Sequence, residues 1–137
     1  MVRWLRSERW LPHHRIRVGA RGERVAARYL RRQRLRIVAR NVHVGRGEID
    51  LVALDGETLV FVEVKSHTYR EGIERTGWEN LDHRKCDALR RSAWAYLRSL
   101  EWCPRGYRLD VVTVEFAGPG RFSGPTDVRW HPGAIEM

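Results

Sequence analysis

The sequence predicts an α/β domain: a mixed β-sheet flanked by helices, in the order α-β-β-β-α-β. Three observations lead there. The β-rich runs GEIDLVAL, Gly47–Leu54, and TLVFVEVKS, Thr58–Ser66, lie on either side of Asp55-Gly56, a hairpin signature. The stretches Arg21–Arg34 and Asp82–Leu100 carry apolar residues at helical spacing. A last β-rich run, Tyr107–Phe116, follows the second of these stretches. Strand, helix and strand in that order form a right-handed crossover, so the third and fourth strands should run parallel. The hairpin strands run antiparallel.

In the first helix Ala26, Ala27 and Leu30, with Val25 and Tyr29 beside them, form an apolar side, and arginines occupy much of the rest. Glu23 falls in the first turn at the edge of that side, where a carboxylate also suits the helix dipole. Leu35–Val42 is a short strand candidate and Gly45-Arg46-Gly47 a turn. Residues 67–80 are polar and contain glycine, so a loop is expected. Asp82 is placed to cap the second helix, whose stripe is Leu81, Lys85, Leu89, Ala93, Tyr96 and Leu97. Pro104-Arg105-Gly106 breaks the chain before the last main strand. From Ala117 onward Gly and Pro are frequent, with one further short strand candidate, Val128–Trp130. The expected organisation is a basic arm over 1–18, a domain over 19–116 and a tail over 117–137.

A length of 137 residues suits one domain with one core. No segment approaches the ~20 apolar residues of a membrane span. The opening MVRWLRSERWLPHHRIR is broken by charges and offers no signal-peptide core. A cytoplasmic protein without membrane contact is expected. Cys86 and Cys103 form no CxxC pair and read as ordinary thiols. The net charge of +9, mostly from arginine, attracts phosphate polymers. A genome rich in G and C would also enrich arginine, so charge alone indicates a nucleic-acid partner and nothing finer.

Glu63 and Lys65 are two apart in a strand, so both point to one face, while Val60, Val62 and Val64 point to the other. A carboxylate and an amine among Leu59, Phe61 and three valines cost several kcal/mol if unpaired. Asp50 lies in the partner strand, and its position depends on register. A two-residue loop at Asp55-Gly56 sets Asp50 opposite Phe61, and a four-residue loop sets it opposite Glu63. Both registers bring the carboxylates together, and only a three-residue loop separates them. Asp50 and Glu63, with the backbone carbonyl of Val64, form an oxygen ligand set suited to Mg²⁺. Lys65 is placed to orient a water or offset negative charge, and Glu23 to add a carboxylate from the first helix. A salt-bridge ladder on a half-exposed sheet face would use the same spacing, which by itself does not separate the two.

The runs GARGERVAARYL, N-x(5)-GEIDLVA and LVFVEVKS, then Lys85 and LDVV, resemble the YraN-like family of uncharacterised bacterial proteins, from roughly Val18 to Phe116. That family in turn resembles Holliday-junction resolvases and restriction-type endonucleases of the PD-(D/E)XK superfamily. The resemblance implies a restriction-endonuclease-like fold and a phosphodiesterase site dependent on Mg²⁺ or Mn²⁺. It makes Asp50 the metal-binding aspartate, Glu63 the second acidic ligand, Lys65 the catalytic lysine and Glu23 the acid supplied by the first helix. Lys85 matches a basic residue at the start of the second helix, and Asp110 falls in the run Arg108 to Val112. His67 stands where the family usually has arginine, and Leu109 replaces an aromatic residue. Lys85, Ser66, His67 and Arg46 are the expected substrate contacts.

The expected function is a metal-dependent endonuclease acting on structured or branched DNA. The alternatives are a non-catalytic nucleic-acid-binding protein of the same fold and a basic structural protein of a larger assembly such as a ribosome. Carboxylates repel a polyanion unless a cation lies between them, which favours the nuclease. Branched or single-stranded DNA is the expected partner, and a symmetric homodimer is expected if the substrate is a four-way junction. Trp4 and Trp10 in the arm are candidates to stack on unpaired bases.

Overall fold

A computed structural model of the chain describes residues 20–68, 81–118 and 124–137. The basic arm with Trp4 and Trp10, and the stretch 69–80, lie outside the described residues. The elements are α1 (Ala20–Arg32), β1 (Arg36–Val44), β2 (Gly47–Asp55), β3 (Thr58–Thr68), α2 (His83–Ser99), β4 (Gly106–Phe116) and β5 (Pro125–Ile135). The strands form one sheet in the order β1-β2-β3-β4-β5. The pair β3 and β4, joined through α2, is parallel, and the other neighbours are antiparallel. The sheet is therefore mixed, as the sequence predicts.

α1 has Glu23 in its first turn and Arg31 and Arg32 in its last, the arrangement its dipole favours. It ends two residues earlier than expected, for a local reason. Arg34 adopts φ 69°, its N–H reaches the Arg31 carbonyl at 2.9 Å, and the Leu35 N–H reaches the Leu30 carbonyl at 3.0 Å. This double closure is a Schellman motif, and it drops Leu35 into the core. α2 starts as expected, with the Arg84 N–H donating to Asp82 Oδ1 at 3.1 Å.

The helices cover opposite faces of the sheet. α1 sets Ala26, Ala27 and Leu30 against Leu51, Val60, Val62, Val112 and Val114. α2 sets Leu89, Ala93 and Tyr96 against Val52, Leu59, Phe61, Leu109 and Val111. Each helix approaches the sheet over a glycine. A Cβ on Gly22 of α1 would lie 1.7 Å from Ser66 Oγ, and one on Gly47 of β2 would lie 2.0 Å from Ser92 Oγ of α2. No helix among the described residues is long and apolar enough to cross a membrane.

The segment read as a tail supplies a fifth strand, so the order is α-β-β-β-α-β-β. Only Val128–Trp130 shows strand character in the sequence, because Pro125, Pro132 and Gly133 interrupt it. At a sheet edge a proline need not donate to the ladder, and the interruption becomes a bulge. The β4–β5 register shifts between Leu109 and Val111, and Gly133 turns at φ 62°. The bulge aims the Gly133 N–H at Asp110 Oδ1, 2.8 Å away. Fully buried Asp110 also accepts from Arg108 Nε at 3.0 Å and from Trp130 Nε1 at 2.8 Å. Arg108 Nη2 meets Asp55 Oδ2 at 2.9 Å, which ties the β2–β3 hairpin into the same knot.

Asp110 is thus a structural carboxylate. Removing it leaves Arg108 Nε, Trp130 Nε1 and the Gly133 N–H without their acceptor, so Asp110→Ala should cost about 3–5 kcal/mol in urea unfolding. Asp110→Asn, which keeps one acceptor, should cost less. A loss below about 1 kcal/mol for the alanine variant would mean that β5 is held by other contacts.

Candidate functional site

The site forms where β2 and β3 part. Their pairing runs from Asp55↔Thr58 to Leu51↔Val62 and stops there. Leu54 lies opposite Leu59, the second of the two registers considered, around a Gly56-Glu57 turn with Gly56 at φ 60°. One residue further along β2, Asp50 takes over from the ladder: the Val64 N–H donates to Asp50 Oδ2 at 2.8 Å. The alternation of β2 slips at this residue. Ile49 and Val52 pack on the α2 face, and Leu51 and Ala53 on the α1 face. β1 bends with it, because Asn41, between Arg40↔Leu51 and Val42↔Ile49, adopts φ 48°. Asparagine tolerates that left-handed conformation better than most residues. In a β-strand the N–H and C=O of one residue point to the same side. The Val64 carbonyl is therefore directed at the opened seam as well.

Glu63 is the centre of the charge cluster. It is 4% exposed. Its Oε1 lies 3.4 Å from Lys85 Nζ and 3.9 Å from Lys65 Nζ. Its Oε2 is buried without a donor. The neighbouring Asp50 carboxylate is an acceptor too, so the two make contact only when a proton is shared. Burial first, and Asp50 second, push the Glu63 carboxyl up to about 7 against the pull of Lys85 and Lys65. A divalent cation would relieve both conditions at once. It would supply the missing partner of Oε2 and neutralise the repulsion between the carboxylates, so the donor set fits a hard metal ion.

The structure brings Asp50, Glu63, Lys65 and Lys85 together. Lys85, in the first turn of α2 and on its core side, reaches back over the sheet to Glu63. Other expected contacts lie apart. Among the described residues no three His, Cys, Asp or Glu side chains converge on a metal position, so Glu23 does not join the pair. Its charge is felt instead at Arg40, whose guanidinium is lowered by burial and by Arg31 and raised by Glu23. Ser66 faces Gly22 of α1, on the opposite side of the sheet from Lys65. His67 shares the Lys65 face, with its Nε2 3.2 Å from Oε2 of buried Glu115. Arg46 is exposed in the β1–β2 turn. Asn41 and Glu115 are absent from the sequence reading of the site. The only trace of Asn41 is its place in the N-x(5)-GEIDLVA run.

A mixed sheet between two helices, with paired carboxylates and lysines at a parted strand seam, defines the class of site. The chain belongs to the uncharacterised protein family UPF0102, whose model matches residues 22–114, so the YraN-like resemblance holds. A relative from Symbiobacterium thermophilum is 46% identical over 105 residues, covering 77% of this chain and 87% of its own. One from Pelotomaculum thermopropionicum is 42% identical over 105 residues, covering 76% and 85%. One from Pseudomonas syringae is 37% identical over 128 residues, covering 89% and 94%. All three carry only the family's name.

The raised Glu63 carboxyl sets a sign. A group whose folded pKa exceeds its unfolded value stabilises the fold below about 4.5, and that contribution is lost as pH rises through about 7. Without divalent cations, Glu63→Gln should remove this decline and melt roughly 5 °C above the parent at pH 8. Thermal melts at pH 5 and 8 in EDTA test it. A parent more stable at pH 8 than the variant would mean that Glu63 is held ionised by its lysines.

Proposed function

We propose that this protein is a metal-dependent endonuclease that hydrolyses phosphodiester bonds in structured or branched DNA. The observation that carries the reading is the pairing of half-buried Asp50 with buried Glu63, of which one carboxylate oxygen lacks any donor and the other has two lysines. A pair of acids costs binding energy at a phosphate surface, and a chain with net charge +9 has no need of it for binding alone. Asp50, Glu63 and the Val64 carbonyl would hold Mg²⁺ or Mn²⁺. When bound, such an ion neutralises phosphate charge and acidifies a water. Lys65, partly exposed beside Glu63, orients the attacking water and offsets negative charge on the phosphate. Lys85 approaches the same carboxylate from α2 and supplies a second cation for the phosphate oxygens.

A non-catalytic nucleic-acid-binding protein is the second reading. It is favoured by the two lysine contacts of Glu63, which offset the acidic pair without any metal ion.

The two readings part in one assay: linear, forked, flapped and four-way DNA, each with Mg²⁺, Mn²⁺ or EDTA. Asp50→Ala should reduce metal-dependent cleavage to background and leave metal-free binding intact or tighter, because one repelling carboxylate is gone. Lys65→Ala should slow cleavage by roughly 100-fold and weaken binding slightly. If the parent cuts none of these DNAs with either ion, the binder replaces the nuclease. If Asp50→Ala cuts as well as the parent, the chemistry lies elsewhere.

A further inference from the structure

Three of the four arginines of α2 are ordered. Arg84, Arg91 and Arg98 recur every seven residues, about 10.5 Å apart along the axis, and all are exposed. Trp94 lies on the same stripe between Arg91 and Arg98, away from Leu89, Ala93 and Tyr96 on the core side. It is 37% exposed. Its ring meets that of Tyr107, at the start of β4, in an edge contact with centroids 5.1 Å apart. Tyr107 is 43% exposed, and these are the exposed large apolar side chains among the described residues. A lone exposed aromatic is ordinary. A braced aromatic pair set into a line of arginines is selective in what it attracts.

We propose that the outer face of α2, together with Tyr107, seats a single-stranded nucleic acid. The arginines take its phosphates, and Trp94 and Tyr107 stack on its unpaired bases. Each element of the surface suits that ligand. Guanidinium groups bind phosphate in a bidentate fork. The edge contact holds both rings in place before a base arrives, so little ordering entropy is lost on binding. Asp87, the acid that lies in the stripe between Arg84 and Arg91, is paired with Arg90 Nη1 at 2.8 Å. The stripe begins at Arg84, next in the chain to the Lys85 that reaches Glu63, so the outer face of α2 adjoins the carboxylate pair at that end of the helix. The inference rests on the nucleic-acid reading of that pair and adds what adjoins it, an unpaired segment rather than duplex. A second copy of this chain is the competing occupant. A two-fold contact would lay the stripe on itself and set arginine against arginine.

The test is fluorescence anisotropy in EDTA, with the full chain and labelled oligodeoxythymidylate or a hairpin duplex of equal length. Trp94→Ala should weaken single-strand binding about tenfold and leave duplex binding unchanged, and Trp94→Phe should recover most of the loss. Arg91→Ala with Arg98→Ala should lower the single-strand salt slope by roughly 1.4. If Trp94→Ala proves unfolded by circular dichroism, Arg91→Glu, at an exposed position, carries the same single-strand-selective expectation. Unchanged single-strand affinity in these variants overturns the proposal, and so does an equal loss on duplex. A parent dimer in sedimentation that Trp94→Ala dissociates assigns the face to self-association and overturns it too. Single-strand binding through Trp94 without any cleavage in Mg²⁺ or Mn²⁺ supports this proposal while the nuclease reading fails. Cleavage by the parent with Trp94→Ala binding normally does the reverse.

Discussion

The architecture of the site depends on one substitution of partner in the sheet. Where the β2–β3 ladder would continue, the Val64 N–H donates to the Asp50 carboxylate instead of a backbone carbonyl. The side chain satisfies the donor that the parting of the strands would otherwise leave buried, so the seam opens without an orphaned N–H. The same bond fixes Asp50 beside Glu63. Asn41 absorbs the matching bend in β1. Two glycines let the helices close in on either face around the seam, α1 over Ser66 and α2 through Ser92. An ordinary, fully paired hairpin would set the same two acids on one face but keep the Val64 N–H and carbonyl within the ladder.

Buried acids in this protein differ in what surrounds them, and the difference separates structure from chemistry. Asp110 has donors on both oxygens, from Arg108, Trp130 and Gly133. Glu115 accepts from Thr126 at one oxygen and meets His67 at the other. Glu63 has cations at Oε1 and none at Oε2, and its remaining neighbour is another carboxylate. Two of these acids complete a hydrogen-bond network, and the third keeps one oxygen without a donor beside the seam.

Most of the fold was legible because its signals are local. The hairpin runs, the helical periodicities and the Asp82 cap each sit within a dozen or so residues of their cause. The parallel β3–β4 pair followed from handedness alone. β5 was mostly hidden, since Pro132 and Gly133 read as interruptions until the bulge against Asp110 gives them a use. At the site, parity in β3 and either even-length turn brought Asp50 to Glu63. The slip of β2 at Asp50 was not legible, because Ile49, Leu51, Val52 and Ala53 are all apolar and do not reveal which face each one takes. Helix placement was the other gap. The position of Glu23 along α1 was clear, but its distance from the seam depends on how α1 docks, which no local pattern encodes.

The two outer strands share a property that bears on how this molecule meets others of its kind. β5 carries Pro125 and Pro132, a bulge, and the exposed pair Arg129 and Asp127. β1 is irregular at Ile37/Ala39 and again at Asn41, and presents Arg36 and Arg40. Neither rim offers a straight row of free backbone groups onto which a foreign strand could zip. The sheet is closed to growth in both directions without being closed into a barrel. Among the described residues, both sheet edges thereby steer crowded copies away from strand-by-strand polymerisation.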